Sequence, residues 1–230
     1  MEQKTKKKQK GEVMRTPVGT AIWPKLGTAD TKFATTEKPH GHYSVGLVLP
    51  MSDPRVASMI ERLEELRQEA IAEGQAACKP GKRVIEAQYG WSNEVDEQGQ
   101  ETGNVVVNLK KPGAFERDDG TIVKMKVDAF DSAGGKLDKA TLDRMGSGTK
   151  LAAIFEASKF ATGLGAGVSL RLQAVQVREL VEFGSRSAEA YGFETDGSGF
   201  VANPSAESDP VDDGGDSAAT AGPAADTSDI

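Results

Sequence analysis

The residues of this 230-residue chain best suited to chemistry are basic side chains interleaved with aromatic ones. Trp23 with Lys25, Phe33 beside Lys32, Tyr43, Lys110 with Lys111, Lys124 and Lys126, Lys150, Lys159 with Phe160, and Arg171 all lie in or beside strand-like segments. Single-stranded nucleic acid presents unstacked base faces and a string of phosphates. An aromatic ring adds ~1–3 kcal/mol per stacked base, and lysines contribute a salt-sensitive attraction. Phe130 and Phe155 fall within apolar alternation and read as core. Phe160 closes a strand, follows Lys159 and precedes a glycine-rich loop, so it is the better platform.

Other chemistries fail on context. The lone Cys78 excludes an internal disulfide and a cysteine-built zinc site, and His40 and His42 lack a third ligand nearby. Gly163–Gly167 (GLGAG) precedes a strand where a dinucleotide loop needs a helix N-terminus. Gly146–Lys150 (GSGTK) lacks the residue order of a phosphate-binding P-loop. No serine stands in a nucleophile-elbow sequence. Asp118–Asp119 and Asp212–Asp213 read as a turn and a tail. Neither an enzyme nor a cofactor is expected.

Charge divides the chain. All 28 basic residues lie in 1–186 with 25 of the 35 acids, so the body carries +3 and residues 187–230 carry −10. The last thirty residues have no aromatic and only Val201, Val211 and Ile230 as large apolar side chains. Such a segment cannot bury enough surface to offset its ordering entropy. Three parts are therefore expected: a flexible basic arm over 1–14, a folded domain over 15–184, and a disordered acidic tail over 185–230. No apolar run reaches the ~18 residues of a membrane span, and the lysine-rich start lacks the apolar stretch of a secretory signal.

The body reads as mainly β. Tyr43, Val45, Leu47 and Leu49 alternate onto one face of a half-buried strand ended by Pro50. Asp53-Pro54 then caps a helix expected over about 54–73, with Val56, Met59, Ile60, Leu63, Leu66 and Ala70 as its apolar stripe. Its opposite face, Glu61, Arg62, Glu64, Glu65, Arg67, Glu69 and Glu73, is acidic and a poor surface for DNA, and Gly74 reads as its stop. Further strands are expected over 104–110, 121–130, 149–160 and 167–183. In the last, the apolar phase set by Val168, Leu170 and Leu172 switches to that of Val175, Val177 and Val181. A bulge near Ala174 of the kind that curls sheets into barrels would produce that switch. The expectation is a five-stranded Greek-key barrel of the OB type with one inserted helix.

The ordered set Arg15–Ala21 (RTPVGTA), Gly41–Pro50, Asp53–Arg55, Gly146–Leu151, Phe160, Gly165–Leu172 and Glu179–Gly184, followed by an acidic tail, resembles the replication single-stranded-DNA-binding proteins of podophages. The resemblance spans most of residues 15–184 and is loosest near 75–103. It implies an OB fold with a long inserted helix and single-strand binding with little sequence preference. Phe160 falls where the family stacks a tyrosine, and Lys150 keeps a lysine. His40 stands where the family has an arginine, a weaker phosphate contact at neutral pH. The resemblance also implies a tail that competes with DNA, supports a homodimer and contacts a replicative polymerase and a helicase or primase. Its place of action would be the cytoplasm of an infected bacterium. The tail residues are Asp212, Asp213, Asp216, Asp226, Asp229 and Ile230; the family ends in an aromatic, this chain in Asp229-Ile230. The competing reading is a β-barrel scaffold whose acidic tail is solubilising.

Overall fold

In chain order the elements are β1 (Glu12–Arg15), β2 (Gly19–Asp30), β3 (His42–Pro50), α1 (Pro54–Ala77), β4 (Trp91–Val95), β5 (Glu101–Pro112), β6 (Ala114–Glu116), β7 (Ile122–Lys124), β8 (Asp128–Phe130), α2 (Lys139–Arg144), β9 (Lys150–Thr162) and β10 (Gly165–Glu179). This computed structural model describes residues 11–32, 34–35, 39–79, 83–87, 90–162 and 165–184. The chain divides after Ser185, and these elements all belong to the first unit. The acidic tail, Phe33 and most of the basic arm lie outside the described residues. The arm does not extend to residue 14, because Glu12–Arg15 already pairs with β9.

The chain is mainly β, with more strands than the five expected. Five of them close on themselves: β9 pairs with β2, β2 with β3, β3 with β5, β5 with β10, and β10 with β9. Every contact in this ring is antiparallel except β5 with β10. The remaining strands decorate it. β1 shares the β9 edge with β2, β8 joins β10, β4 joins β5, and β6 with β7 forms a separate two-stranded ladder.

Alternation of side chains fills the ring. Val45, Leu47 and Leu49 of β3, Val105, Val107 and Leu109 of β5, and Leu151, Ala153 and Phe155 of β9 are buried. On β10 the buried set is Val168, Leu170 and Leu172, then Val175 and Val177. The register against β9 slips between Leu172 and Ala174, where the apolar phase changes. One extra residue there bends the strand and keeps its apolar side facing inward on both sides of the bend.

Helix α1 starts as its sequence predicts. The Asp53 carboxylate accepts the Arg55 amide at 2.9 Å, and Pro54 takes the first helical position. Its buried stripe is Val56, Met59, Leu63, Leu66 and Ala70. Two expectations are corrected. Arg67 is buried instead of solvated, its guanidinium bonded to Glu86 at 2.7 Å and to Glu64 at 3.4 Å, which compensates its loss of water. Gly74 does not stop the helix, which continues to Ala77. A Cβ on Gly74 would lie 3.0 Å from Ala166 Cβ and 3.0 Å from Val84 Cγ2. The glycine is a close-approach point between α1 and β10.

The segment 121–130 alternates as expected yet is not one strand. Ile122–Lys124 pairs with β6, whereas Asp128–Phe130 pairs with β10. The stretch 167–183 is likewise shorter in ladder terms, ending at Glu179. Its continuation runs beside the end of α2: Met145 bridges Glu182, and the Phe183 amide donates to Arg144 O at 2.6 Å.

Candidate nucleic-acid interface

Register, more than adjacency in sequence, decides which cations meet. Lys25 of β2 pairs with Ser44 of β3, Ser44 with Lys110 of β5, Lys110 with Arg171 of β10, and Arg171 with Glu156 of β9. These positions form one transverse row on the outward side of the ring. Lys25, Lys110 and Arg171 are exposed, and none of the three enters an ion pair among the described residues. Glu156, at the end of the row, accepts from the Gly11 amide, the Ser158 hydroxyl and the Gln173 amide group. Lys150 shares this outward side and donates to Thr20 Oγ1 at 2.7 Å.

Two aromatic rings lie on the strands at the ends of the row, Trp23 on β2 and Phe160 on β9, both displaced to the same side of it along the strands. Phe160 has the same parity along β9 as Glu156 and pairs with Gly167, where an added Cβ would lie 3.4 Å from the ring. The missing side chain lets the phenyl ring lie low across the β9–β10 hairpin. Trp23 sits in a bulge of β2, where three steps from Ile22 to Lys25 oppose two from Gly46 to Ser44. Its φ is +48°, a left-handed backbone unusual for a bulky residue, and its side chain is 79 % exposed. Its amide donates to Ser147 Oγ at 3.0 Å.

The structure separates other sequence candidates from this row. Tyr43 is buried beside Val45, with its hydroxyl donating to Met125 O at 3.0 Å, so its ring faces the core. Lys111 has the inward parity opposite to Lys110 and is 6 % exposed. Burial pushes its pKa down, opposed by Asp128 and reinforced by Arg171, and its ammonium donates to Gln173 O at 3.4 Å. Lys159 meets Glu73 at 2.6 Å and Glu69 at 2.9 Å on α1; hydrogen bonds to these two carboxylates hold its pKa above the ordinary lysine value. Its charge is spent on the acidic helix face. Lys124 and Lys126 are exposed, on and just after β7, and His40 is exposed in the turn before β3. Among the described residues no cluster of three or more His, Cys, Asp or Glu is placed to hold a metal ion, and no helix is long and apolar enough to cross a membrane.

A family model for the single-stranded DNA-binding protein of bacteriophage T7 matches residues 19–180. The chain belongs to this family. Within the T7-type family, the single-stranded DNA-binding protein of Escherichia phage T7 is 28 % identical over 192 residues, 80 % of each chain. That of Enterobacteria phage T3 is 25 % identical over 190 residues, 80 % of this chain and 81 % of the other. Among solved structures, gp2.5, the single-stranded DNA binding protein encoded by bacteriophage T7, matches with a TM-score of 0.63 at 23 % identity, covering 84 % of this chain and 100 % of that one. The single-stranded DNA-binding protein of bacteriophage Enc34, solved in complex with ssDNA, matches with a TM-score of 0.51 at 14 % identity, covering 79 % and 97 %.

In this T7-type family member, sequence reasoning missed Ser44 and Thr20, which carry the outward rows across β3 and β2. Their signal was parity: each stands out of phase with a buried neighbour, Tyr43 and Ala21. It also missed Phe183, an aromatic that is 83 % exposed. Phe183 lies beyond the last strand, where no alternation marks it.

Proposed function

We propose that the chain binds single-stranded DNA with little sequence preference and does no catalysis. The observation that carries this is the cation row Lys25–Lys110–Arg171, exposed and without an ion pair among the described residues, which crosses four strands with outward rings on β2 and β9. Phosphates spaced along a flexible strand suit such a row, while Trp23 and Phe160 stack bases without reading them. Duplex DNA hides its base faces and gains only the electrostatic part. Tyr43, Lys111 and Lys159 serve packing. Lys150 extends the cationic face, and Lys124, Lys126 and His40 are peripheral contacts. The closed ring β9-β2-β3-β5-β10, with its single parallel contact, supports reading the domain as an OB-type barrel. The chain would act in phage replication inside the infected host.

Residues 187–230, with ten acids and no base, are the natural rival of DNA for this row. Their carboxylates, ending in Asp229-Ile230, also suit docking to a polymerase, a helicase or primase, or a second copy. Deleting them gives a direct test. A tail that occupies the row nine-tenths of the time lowers apparent affinity about ten-fold. Deletion therefore tightens binding to an oligonucleotide by about that factor near 50 mM salt. It also steepens the salt dependence, because DNA no longer trades places with another polyanion whose own contacts weaken with salt. Fluorescence titration of both chains at several salt concentrations checks this. Superimposable curves would remove the tail from the mechanism.

A further inference from the structure

Next to the row, and sharing Lys25 with it, lies a cleft of about 1180 Å³ between β2 and the segments around Met145 and Phe183. It is larger than the usual pocket for one small ligand. Trp23 and Phe183 both line it, and they are the two most exposed large hydrophobic residues described. Resting on the single-strand reading above, we propose that this cleft is a nucleobase subsite, in which Phe183 provides a second stacking ring opposite the Trp23 side of the groove.

Both rings are presented by backbone that is firmly tied down. On one side, the β2 bulge is pinned by the Trp23 amide on Ser147 Oγ at 3.0 Å and the Gly148 amide on Ala21 O at 2.9 Å. On the other, the Phe183 amide donates to Arg144 O at 2.6 Å and the Gly146 amide to Val181 O at 2.7 Å. The buried Thr149 hydroxyl donates toward Gly146 O or Val181 O and accepts the Val181 amide at 3.1 Å. A Cβ on Gly146 would lie 3.0 Å from the Phe183 nitrogen, so the two segments touch backbone to backbone. Rigid main chain carrying solvent-exposed rings is the arrangement of a preorganised binding surface, since the entropy of ordering is spent on folding and not on binding.

Charge selects the occupant. The cleft is lined by Lys25 and Lys32 but also by Asp30, Asp143 and Glu182. Asp143 is paired with Lys139, and Glu182 lies 3.5 Å from Arg144. A lining so balanced has no net pull on phosphate or on an acidic peptide, whereas neutral bases between rings suit it. Lys25 belongs to both the cleft and the cation row, so a strand whose phosphates follow the row can turn its next base into the cleft without a break in contact.

The test uses the full chain, a thymidine oligonucleotide and four variants, three at Phe183 and one at Lys110. Phe183→Ala should weaken binding about ten-fold, as loss of one stacked base does, and Phe183→Leu should weaken it similarly because it keeps an apolar contact without a π face. Phe183→Tyr should bind as wild type. The slope of affinity against salt should not change, since no phosphate contact is lost. Thermal midpoints should stay together, because the ring is exposed. Wild-type affinity in Phe183→Ala or in Phe183→Leu, or a reduced salt slope, would overturn the subsite. If Lys110→Ala weakens binding while Phe183→Ala does not, the subsite falls and the single-strand reading stands. If the wild-type chain ignores the oligonucleotide, both fall together.

Discussion

Replacing Lys25, Lys110 and Arg171 together by alanine is expected to weaken single-strand binding by about two to three orders of magnitude at 50 mM salt. Each phosphate contact to a single strand releases about 0.7 of a counterion, so three contacts account for about two units of slope in log affinity against log salt. The same triple change should cost only about four-fold near 0.5 M salt, where counterion release has little left to give. The three side chains are exposed and unpaired among the described residues, so the fold should survive their removal. Lys159→Ala is the internal control. Its ammonium is already matched by Glu69 and Glu73, so few counterions are released there and the slope should hardly move. A triple variant with unchanged slope would place the phosphate track elsewhere.

Trp23→Gly is expected to raise stability while lowering affinity. A bulky residue held at φ +48° stores strain on the order of 1 kcal/mol or more, and glycine adopts that backbone freely. The indole is 79 % exposed, so little burial is lost with it. The expected gain is about 1 kcal/mol, a rise of roughly 2–4 °C in Tm, reduced by the greater freedom of glycine in the unfolded chain. Affinity for a single strand should fall about ten-fold or more with the lost stack. Calorimetry and titration on the same preparation read both effects. Falling Tm with intact affinity would make Trp23 a structural residue instead. Opposite movements of the two quantities would mark a strained residue kept for binding.

Local patterns disclosed much of this fold. The alternation from Tyr43 to Leu49, the Asp53-Pro54 cap and the phase change around Ala174 each report a constraint acting within a few residues, and each appears in the structure. Partner choice is a different matter. Val123, Val127 and Ala129 keep their alternation although β7 and β8 pair with different strands, because burial on one side says nothing about which strand lies alongside. Gly74 has the composition of a helix stop, yet its role is set by Ala166, ninety-two positions later, which no local signal reports.

The same distinction explains the site. Lys110 and Lys111 are neighbours in sequence and face opposite ways, so one joins the cation row and the other is buried. Tyr43 suits the buried face of its strand by alternation and the DNA surface by residue type. Alternation was the better guide of the two. Lys159 reads as free in sequence, but α1 brings two glutamates to it, and Phe183 is placed only by the segment after β10 meeting the end of α2. Residue type suggested the chemistry; sheet register decided which residues perform it.

The most direct measurement is a titration of Trp23 fluorescence with oligo-dT and with duplex DNA of equal length, in dilute buffer, using the whole chain and a chain ending at residue 186. Buried Trp91 supplies a steady background. The outward row and its rings require saturable quenching by the single strand at concentrations at least about ten-fold below those needed for duplex, with the shortened chain binding more tightly. Equal affinity for the two DNA forms, or no response from either chain, would contradict the assignment of this face to single-stranded DNA.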